Sequence, residues 1–490
     1  MALRRDLYWR AACTPEAPAL ETDDGVLSFA ALAQRARRGA GFLHGTAVAP
    51  DDEAPVALLL PDGATFATWF HAAALAGRTA LPLNLRLTAA ELAQQLADAR
   101  CTLLLAAQDD PRLGEIAVRV PGLAILVAPV PATLPEPSRP LPPIADDEHS
   151  VLAVLYTSGT TGRSKGACLT WGNFAASARA AEERFGAAVA GRWLACMPLF
   201  HVGGLSILVR SVLHGGPVRL HSRFDAAAVS AALDRGDVSG VSLVPTMLSR
   251  LLALRGARPA PAGLRVLLLG GAAAAPELVE RALAAGYPVC PTYGLTEATS
   301  QVATASPPAP GATATGPMRP VLGTEVRIVA DGRDMPAGQP GEIIVRGPTV
   351  MRGYLHAPEA TARALRAGWL YTDDLGYLDA HGGLHVLDRR DDLVVSGGEN
   401  VYPAEIEATL LEHPAVADVG VSGVADEDLG ARIVAWVVVA TGATVAATEL
   451  LRHCRERLAG YKLPREFRFV DALPRSAAGK LLRRELKTLY

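Results

Sequence analysis

Residues 156–166, YTSGTTGRSKG, decide the fold class because they join the end of a strand to a glycine-rich and hydroxyl-rich turn. The apolar run 151–155 precedes this turn. Glycines allow backbone N–H groups to point inward, hydroxyls add donors, and cations balance phosphate charge. All three groups are present, as Gly159, Gly162 and Gly166, Ser158, Thr160 and Thr161, and Arg163 and Lys165. The stretch therefore predicts a phosphate-binding loop.

This loop is not a Walker loop, since the G-x-x-x-x-G-K-[ST] spacing is absent and Lys165 is followed by Gly166. A solvated Ser/Thr/Gly turn is the alternative. The stretch resembles the signature loop of the adenylate-forming superfamily, which includes acyl-CoA synthetases, luciferases and peptide-synthetase adenylation domains. The resemblance implies ATP binding by Thr157, Ser158, Gly159, Thr160, Thr161 and Lys165, with Thr160 also near Mg²⁺.

Size and composition indicate a soluble enzyme of more than one domain. The chain has 490 residues, half of them hydrophobic and a fifth charged. A net charge of −3 offers no broad basic surface for nucleic acid. The six cysteines are scattered, and no secretory signal or membrane span is evident, so we expect a reducing, cytoplasmic location. The sequence leaves a homo-oligomer open.

Strand-like and helix-like segments alternate along residues 1–130, which predicts a mostly parallel sheet covered by helices. We expect helices at 27–42, capped by Ser28, and at 64–76, with strands at 55–60 and 101–106. The proline-rich stretch 127–147 is expected to cross the surface, with a rigid linker as the alternative.

The α/β pattern resumes after the signature loop, and its last strand is expected to border a nucleotide site. We predict a helix at 173–185, a turn and apolar helix within 197–216, and strands at 240–245 and 264–269. The last strand leads into Gly270, Gly271 and Ala272 and then into a helix with Pro276 near its start. In open α/β sheets, ligands bind beyond the carboxyl ends of such strands.

The remaining sequence predicts a small sheet and a second domain. Short strands and Gly-containing turns fill 316–387 and indicate hairpins of a small barrel or sheet. We place a domain boundary near Asp391, which divides the chain into residues 1–390 and 391–490. The fold class is thus α/β, with a large ATP- and substrate-binding domain and a smaller, mobile α+β domain.

Two further motifs resemble those of the superfamily. In PTYGLTEATSQVAT (291–304), the resemblance implies that Tyr293 borders adenine, Gly294 belongs to the ATP site, Thr296 contacts phosphate and Glu297 binds Mg²⁺. A capped helix start is the alternative for this stretch. In WLYTDDLGYLD (369–379), the resemblance implies that Asp374 binds both ribose hydroxyls.

This chain departs from the family pattern at two of these positions. Asp373 stands where the family has glycine, which leaves the backbone geometry there in question. Arg389 matches the family arginine that reaches ribose or phosphate, but Asp388 replaces the glycine before it.

The smaller domain carries three positions with implied roles. Asp391 matches the family hinge, and Gly397 and Gly398 of SGGEN match the loop that lines the coenzyme A tunnel. Lys480, in PRSAAGKLLRREL, matches the lysine that neutralises charge during adenylation. A generic glycine turn and a solvated terminal lysine are the alternatives.

The acyl substrate is expected to bind along PLFHVGGLSILVRSV (198–212), which contains His201, Ser206 and Arg210. Arg210 lies on an otherwise apolar helix, and a buried guanidinium requires an anion. This segment resembles that of the o-succinylbenzoate:CoA ligases of menaquinone synthesis, whose substrate has two carboxylates. We therefore expect Arg210 to hold the carboxylate that is not activated. The alternatives are an internal Asp or Glu partner and exposure at the surface.

The resemblance implies an ATP-dependent acid:CoA ligase that requires Mg²⁺ and coenzyme A, with Lys480, His201, Thr296 and Glu297 as its catalytic residues. An aryl- or medium-chain acyl-CoA synthetase is the alternative within the class. A carrier-loading adenylation enzyme and a non-catalytic nucleotide-binding protein are further alternatives.

Overall fold

The structure is a computed structural model that describes residues 3–45, 54–138, 141, 148–157, 164–272, 274, 276–388, 393–474, 481 and 483–488. Its α-helices are α1 Leu3–Cys13, α2 Phe29–Gly45, α3 Ala64–Leu75, α4 Ala89–Asp98, α5 Leu113–Arg119, α6 Trp171–Phe185, α7 Val202–His214, α8 Ala226–Asp234, α9 Pro245–Arg255, α10 Pro276–Ala284, α11 Pro358–Ala364, α12 Pro403–Leu411, α13 Ala447–Arg455 and α14 Arg483–Leu486.

The strands fall into two groups along the chain. The first group is β1 Pro18–Thr22, β2 Gly25–Ser28, β3 Val56–Leu59, β4 Ala80–Pro82, β5 Leu103–Ala106, β6 Ala124–Val127, β7 Val151–Thr157, β8 Lys165–Thr170, β9 Arg192–Ala195, β10 Val218–Leu220, β11 Val238–Leu243, β12 Val266–Leu269, β13 Val289–Leu295 and β14 Ser300–Thr304. The second group is β15 Arg319–Pro320, β16 Glu325–Ala330, β17 Arg333–Asp334, β18 Gly341–Arg346, β19 Gly353–Tyr354, β20 Leu365–Arg366, β21 Trp369–Leu378, β22 Leu384–Asp388, β23 Val394–Ser396, β24 Glu399–Val401, β25 Val416–Asp426, β26 Gly430–Val439 and β27 Glu466–Phe469.

Two large sheets form the body of the molecule. One has the order β19-β8-β7-β4-β3-β5-β6, and the other has the order β15-β14-β13-β12-β11-β9-β10-β1-β2. The central strands of both are parallel, and β7 turns back on β8 as an antiparallel hairpin around the signature loop. The predicted α/β class with parallel sheets is confirmed.

The helix α3 lies between the two large sheets and is buried along almost its whole length. It contacts β3 and β4 of one sheet and β1 of the other. Its side chains Trp69 and Phe70 are fully buried. A helix that is mostly apolar belongs in such a core, where both neighbours remove its surface from water.

A third, antiparallel sheet of six strands is built from β16, β17, β18, β20, β21 and β22, as the short strands and turns of 316–387 predict. After residue 393, the described strands pair only with one another, as β23–β24 and as β25–β26–β27. This chain region also has its own apolar clusters, one of them around the buried Trp436. The predicted division into 1–390 and 391–490 stays a prediction, since 389–392 lie outside the described residues.

Several predicted boundaries shift because local capping decides where a helix begins. The helix predicted at 27–42 starts at Phe29, since Leu27 and Ser28 belong to β2, and the Ser28 hydroxyl accepts the Ala31 N–H. The strand predicted at 240–245 ends at Leu243, and Pro245 begins α9 because proline fits the first helical turn.

None of the helices in the described part of the chain has the length and apolarity that crossing a membrane requires.

Candidate active site

A cavity of about 700 Å³ lies where the three sheets of the larger body meet the β23–β24 hairpin. Six of the fifteen predicted site residues that the structure describes border it, and the lining does not include Ser206 or Arg210. The lining includes Thr157 and Lys165 from the β7–β8 hairpin, Thr296 and Glu297 after β13, Asp373 and Asp374 on β21, His201 before α7, and Glu399, Asn400 and Tyr461 from the last part of the chain.

Glu297 is held by two hydroxyl donors from different elements. Its Oε1 accepts the Thr157 hydroxyl at 3.2 Å and the Tyr354 hydroxyl at 2.9 Å. Among the described residues, no donor reaches Oε2, so one carboxylate oxygen is left for a ligand. Mg²⁺ is commonly held by one or two carboxylates together with substrate phosphates, and this donor set fits it.

Tyr354 is a site residue that the sequence motifs did not indicate. Burial raises the pKa of its hydroxyl, and the neighbouring Glu297 carboxylate raises that pKa further, so the hydroxyl stays protonated and donates. The Lys165 ammonium lies 5.0 Å from the centre of its ring. Tyr354 reaches this place because β19 pairs with β8, with Tyr354 opposite Ala167. A pairing between such distant segments has no local sequence signal.

Asp374 and Tyr293, predicted as ribose and adenine contacts, lie side by side. The Tyr293 hydroxyl donates to Asp374 Oδ2 at 2.6 Å, and both side chains are buried. The bond joins the nine-stranded sheet to the six-stranded sheet. It fixes the orientation of the carboxylate, which suits Asp374 for binding hydroxyls. The roles of Tyr293 and Asp374 toward the nucleotide remain predictions.

Asp373 occupies the position where the family pattern has glycine, and its backbone explains that pattern. It has φ +62°, in the left-handed region that favours glycine. Its N–H donates to Glu342 Oε1 at 3.0 Å, which helps to hold this conformation. Aspartate is among the few other residues that adopt this conformation readily.

The Gly270–Gly271 turn packs tightly against β13, as the predicted strand, turn and helix require. A Cβ on Gly270 would lie 2.6 Å from Thr292 Cγ2, and Gly271 has φ +81°. Ala272 follows, and α10 begins at Pro276. The turn therefore lies beside the residue that precedes Tyr293.

The glycines of SGGEN form a two-residue hairpin turn between β23 and β24. Gly397 has φ +59° and Gly398 has φ +86°, the pair of positive angles that a type I′ turn requires. A Cβ on Gly398 would lie 3.2 Å from Val244 Cγ2, so this turn lies against the beginning of α9. The role of both glycines in a coenzyme A tunnel remains a prediction.

Glu399, next to these glycines, joins the smaller domain to His201. Its Oε2 lies 3.1 Å from His201 Nε2, and its Oε1 accepts Arg86 at 2.7 Å. Burial alone would raise the pKa of Glu399, but His201 and Arg86 hold that pKa below its ordinary value. Glu399 is therefore a carboxylate at neutral pH. Sequence reasoning used the two glycines of this motif and missed the glutamate.

Arg210 is buried in α7 without a carboxylate. It is 7% exposed, and among the described residues its guanidinium contacts the ring face of Trp193 at 4.2 Å but no Asp or Glu. Burial lowers its pKa to about 10, which still leaves it charged at neutral pH. Both alternatives, an internal acidic partner and exposure at the surface, are wrong for the described part of the chain. Ser206, one turn earlier, bonds back to the Val202 carbonyl at 2.6 Å.

Seven of the predicted site residues lie outside the described residues: Ser158, Gly159, Thr160, Thr161, Arg389, Asp391 and Lys480. The fold and the described site together define a nucleotide-binding α/β enzyme with two domains.

Comparisons with known proteins agree with this class. The sequence profile of the AMP-binding enzymes matches residues 7–355, and that of the AMP-binding enzyme C-terminal domain matches residues 405–480. The chain belongs to the AMP-binding enzyme family.

One similar curated protein is 2-succinylbenzoate–CoA ligase of Geobacillus kaustophilus (strain HTA426). It is 43% identical over 483 residues, which cover 99% of this chain and 97% of that protein.

Two solved structures of o-succinylbenzoate CoA synthetase from Bacillus subtilis are also similar, both at 37% identity. A double mutant bound with its product analogue OSB-NCoA has a TM-score of 0.90 and covers 99% of this chain and 98% of its own. The complex with the acyl-adenylate intermediate OSB-AMP has a TM-score of 0.72 and covers 98% of this chain and 97% of its own.

Proposed function

We propose that this chain is a 2-succinylbenzoate–CoA ligase, which activates its acid as an acyl-adenylate and transfers the acyl group to coenzyme A. The full-length similarity to a curated ligase of that name carries the proposal. The product is o-succinylbenzoyl-CoA, an intermediate of menaquinone synthesis. Because ATP and coenzyme A are its co-substrates, we place the enzyme in the cytoplasm.

Arg210 supports an acid with two carboxylates. A buried charge is costly unless it is paired, and the Trp193 ring offsets only part of that cost. A second substrate carboxylate would complete the pairing, whereas the methylene tail of a fatty acid would leave the guanidinium unpaired. We assign Arg210 to the benzoate carboxylate, with Ser206 and His201 along the same acyl pocket.

In the first step, an oxygen of the succinyl carboxylate attacks the α-phosphorus of ATP, and pyrophosphate leaves. Thr157, Lys165, Thr296 and Asp374 line the cavity. We assign Thr157, Lys165 and Thr296, beside Glu297, to the phosphates and Asp374 to the ribose. Mg²⁺ held by Glu297 would neutralise phosphate charge. Lys480, which we assign from the family motif, would stabilise the charge that develops between carboxylate and phosphate.

In the second step, the sulfur of coenzyme A attacks the acyl carbon, and AMP leaves as the thiol loses its proton. The Gly397–Gly398 turn lies against α9 at the edge of the site, where a pantetheine chain can approach backbone closely. The overall reaction converts acid, ATP and coenzyme A into acyl-CoA, AMP and pyrophosphate.

The proposal is tested by measuring AMP formation that depends on both coenzyme A and Mg²⁺. o-Succinylbenzoate, benzoate and octanoate are supplied at equal concentration. A strong preference for the dicarboxylate is expected. Turnover of a monocarboxylate alone would instead favour an aryl- or medium-chain acyl-CoA synthetase. Absence of pyrophosphate release with every acid would favour a nucleotide-binding protein without catalytic activity.

A further inference from the structure

A buried lysine joins the two domains. Lys462 Nζ lies 2.7 Å from Glu91 Oε1 of the larger domain and 2.7 Å from Glu405 Oε1 of its own domain. All three side chains are largely buried, with Lys462 only 5% exposed. Burial alone would lower the pKa of Lys462, but Glu405 and Glu91 raise it above its ordinary value, so the lysine is charged. One cation therefore separates two carboxylates that would otherwise repel each other.

Glu91 is positioned for this contact by its own helix. Its Oε2 accepts the Thr88 N–H at 2.8 Å, which completes a capping box at the start of α4. The other oxygen, Oε1, points to Lys462. The Glu91 carboxylate thus caps the start of α4 with one oxygen and pairs with Lys462 of the smaller domain through the other.

Further contacts between the domains fall on the same short stretch, residues 84–91, which we name the docking segment. Arg86 bonds Glu399 and lies 4.5 Å from the centre of the Tyr461 ring. Asn84 donates to the Tyr461 hydroxyl at 3.4 Å. The docking segment therefore contacts both the hairpin that carries Gly397 and Gly398 and the turn that carries Lys462.

Apolar packing supports the same contact. Ala459 of the smaller domain is 1% exposed and belongs to an apolar cluster of the larger domain that includes Leu87, Leu92 and Leu96. In this arrangement of the two domains, Ala459 packs against apolar side chains of α4. Ionic and apolar contacts thus specify one arrangement.

The structure matches one of the two solved relatives better than the other. The structure has a TM-score of 0.90 with the complex of the product analogue and 0.72 with the complex of the acyl-adenylate, at equal sequence identity and nearly equal coverage. We attribute this difference in fit to a difference in how the two domains are arranged, so that the Glu91–Lys462 contact belongs to the arrangement of the relative bound with its product analogue.

We propose that Glu91 and Lys462 are positioning residues for thioester formation. Their ion pair holds the smaller domain where the Gly397–Gly398 turn and Glu399 close on the cavity. It acts on the step that uses coenzyme A and not on adenylation. This inference rests on the proposed two-step function.

The test is Glu91→Gln in the full-length enzyme, because glutamine keeps the capping box and removes the charge that faces Lys462. Adenylation is measured as pyrophosphate release from ATP and o-succinylbenzoate without coenzyme A. Thioester formation is measured as the rate at which the preformed adenylate is consumed when coenzyme A is added. We expect the second rate to fall about tenfold or more and the first to stay within about twofold.

Glu405→Gln is the matched control, because it removes a charge from the same lysine without touching the contact between domains. Loss of this buried pair weakens the smaller domain in any arrangement of the two domains, so the thioester rate should stay within about threefold of the wild type. The distance between dyes attached to the two domains gives an independent measurement. Glu91→Gln should reduce the fraction of molecules in which the two dyes lie close together.

Equal loss of both steps in Glu91→Gln would mean a purely structural role and overturn the proposal, as would an unchanged thioester rate. Failure of the proposed function is distinguishable, because it would appear in the wild type as absent adenylation of o-succinylbenzoate. The ratio of variant to wild type is then measured with whichever acid the wild type activates, and the dye distance requires no acid.

Discussion

At the scale of single residues, Arg210 differs from the buried Arg219 and Arg255 in lacking an acidic partner among the described residues. Arg219, for comparison, is 8% exposed and bonds both Glu21 and Asp237. A guanidinium with carboxylates of its own contributes to folding. A buried guanidinium without a carboxylate partner is available to an anionic ligand.

We predict that Arg210→Ala raises the KM for o-succinylbenzoate by about tenfold or more, since a charge-assisted hydrogen bond contributes about 1.5–3 kcal/mol. The KM for ATP should not change. Steady-state kinetics with each substrate varied would measure both. Arg219→Ala is the matched control, because it should lower stability and leave the KM for the acid unchanged. An unchanged KM for the dicarboxylate in Arg210→Ala would remove Arg210 from the acyl pocket.

Asp373 gives a second prediction, because its positive φ limits which side chains the position accepts. Asp373→Val should destabilise the protein by about 1–2 kcal/mol or more, since a β-branched residue is strained there. Asp373→Asn should cost much less, and Asp373→Gly should be close to neutral. Urea unfolding of the three variants measures this order. Equal stability of the valine and asparagine variants would contradict it.

We predict that the folding stability of the protein depends on pH because of the carboxyl group of Asp62. Burial raises the pKa of this carboxyl to about 7, although the Leu199 N–H that it accepts lowers it. Its ordinary pKa is 3.8, so between about pH 4 and pH 7 the folded state binds the proton that the unfolded state has lost, and stability falls as pH rises.

Asp62→Asn should therefore raise the melting temperature at pH 8 by more than at pH 5, because asparagine cannot ionise. Asp110→Asn is the control of opposite sign, since the hydrogen bond from Arg112 holds the pKa of Asp110 below its ordinary value. That variant should lower the melting temperature at pH 8. A gain for Asp62→Asn that is the same at both pH values would show that its carboxyl is not protonated in the folded protein.

At the scale of elements, the strand β11 makes room for the ring beneath Arg210. A Cβ on Gly240 would lie 2.3 Å from the Trp193 ring, and the indole Nε1 donates to the Ser242 hydroxyl at 3.3 Å. The indole is therefore held between β11 and α7 by contacts on both sides. Its position decides where the Arg210 guanidinium lies.

We predict that Gly240→Ala destabilises the enzyme by about 1–3 kcal/mol through overpacking and raises the KM for the acid more than the KM for ATP. Gly114→Ala in α5 is the control, since a Cβ there meets open space and should be neutral or stabilising. Thermal unfolding and kinetics measure both effects. A variant with normal stability and normal KM for the acid would show that the indole can shift without consequence.

Elements of this chain follow from sequence where the local pattern is strong. The apolar strands, the Ser28 cap and the Gly-Gly turns are encoded within a few residues, so their existence was predictable. The exact ends of helices and strands were less predictable, as Leu27 and Pro245 show. Strand pairing and helix capping compete at the ends of elements. Tyr354 could not be predicted, because its place depends on strand pairing across the chain.

At the scale of the whole molecule, the glycine turn lies between the domains, and this gives a prediction. Gly398→Ala combines an unfavourable backbone angle with a contact of 3.2 Å to Val244 of the other domain. We expect thioester formation to slow by about tenfold while adenylation is unchanged. The two half-reactions are measured separately, as for Glu91→Gln.

Gly442→Ala is the matched control, since it has a similar positive φ of +78° but open space around its Cβ. It carries the same backbone strain without a contact between domains. If Gly398→Ala and Gly442→Ala slowed thioester formation equally, the cause would be general destabilisation. Contact of the Gly397–Gly398 turn with the larger domain would then not explain the effect.

The sequence by itself determined the α/β class, the signature loop, the Thr296–Glu297 and Asp374 motifs, and the type of chemistry that they imply. These features are local, because each depends on residue types within a few positions that set backbone turns and donors. Only the tertiary structure decided that Arg210 is buried over Trp193 without an acidic partner in the described chain, that Tyr354 bonds Glu297, and that Lys462 bonds Glu91. These contacts join residues that are far apart in the chain, and they form only when sheets and domains pack to remove apolar surface from water.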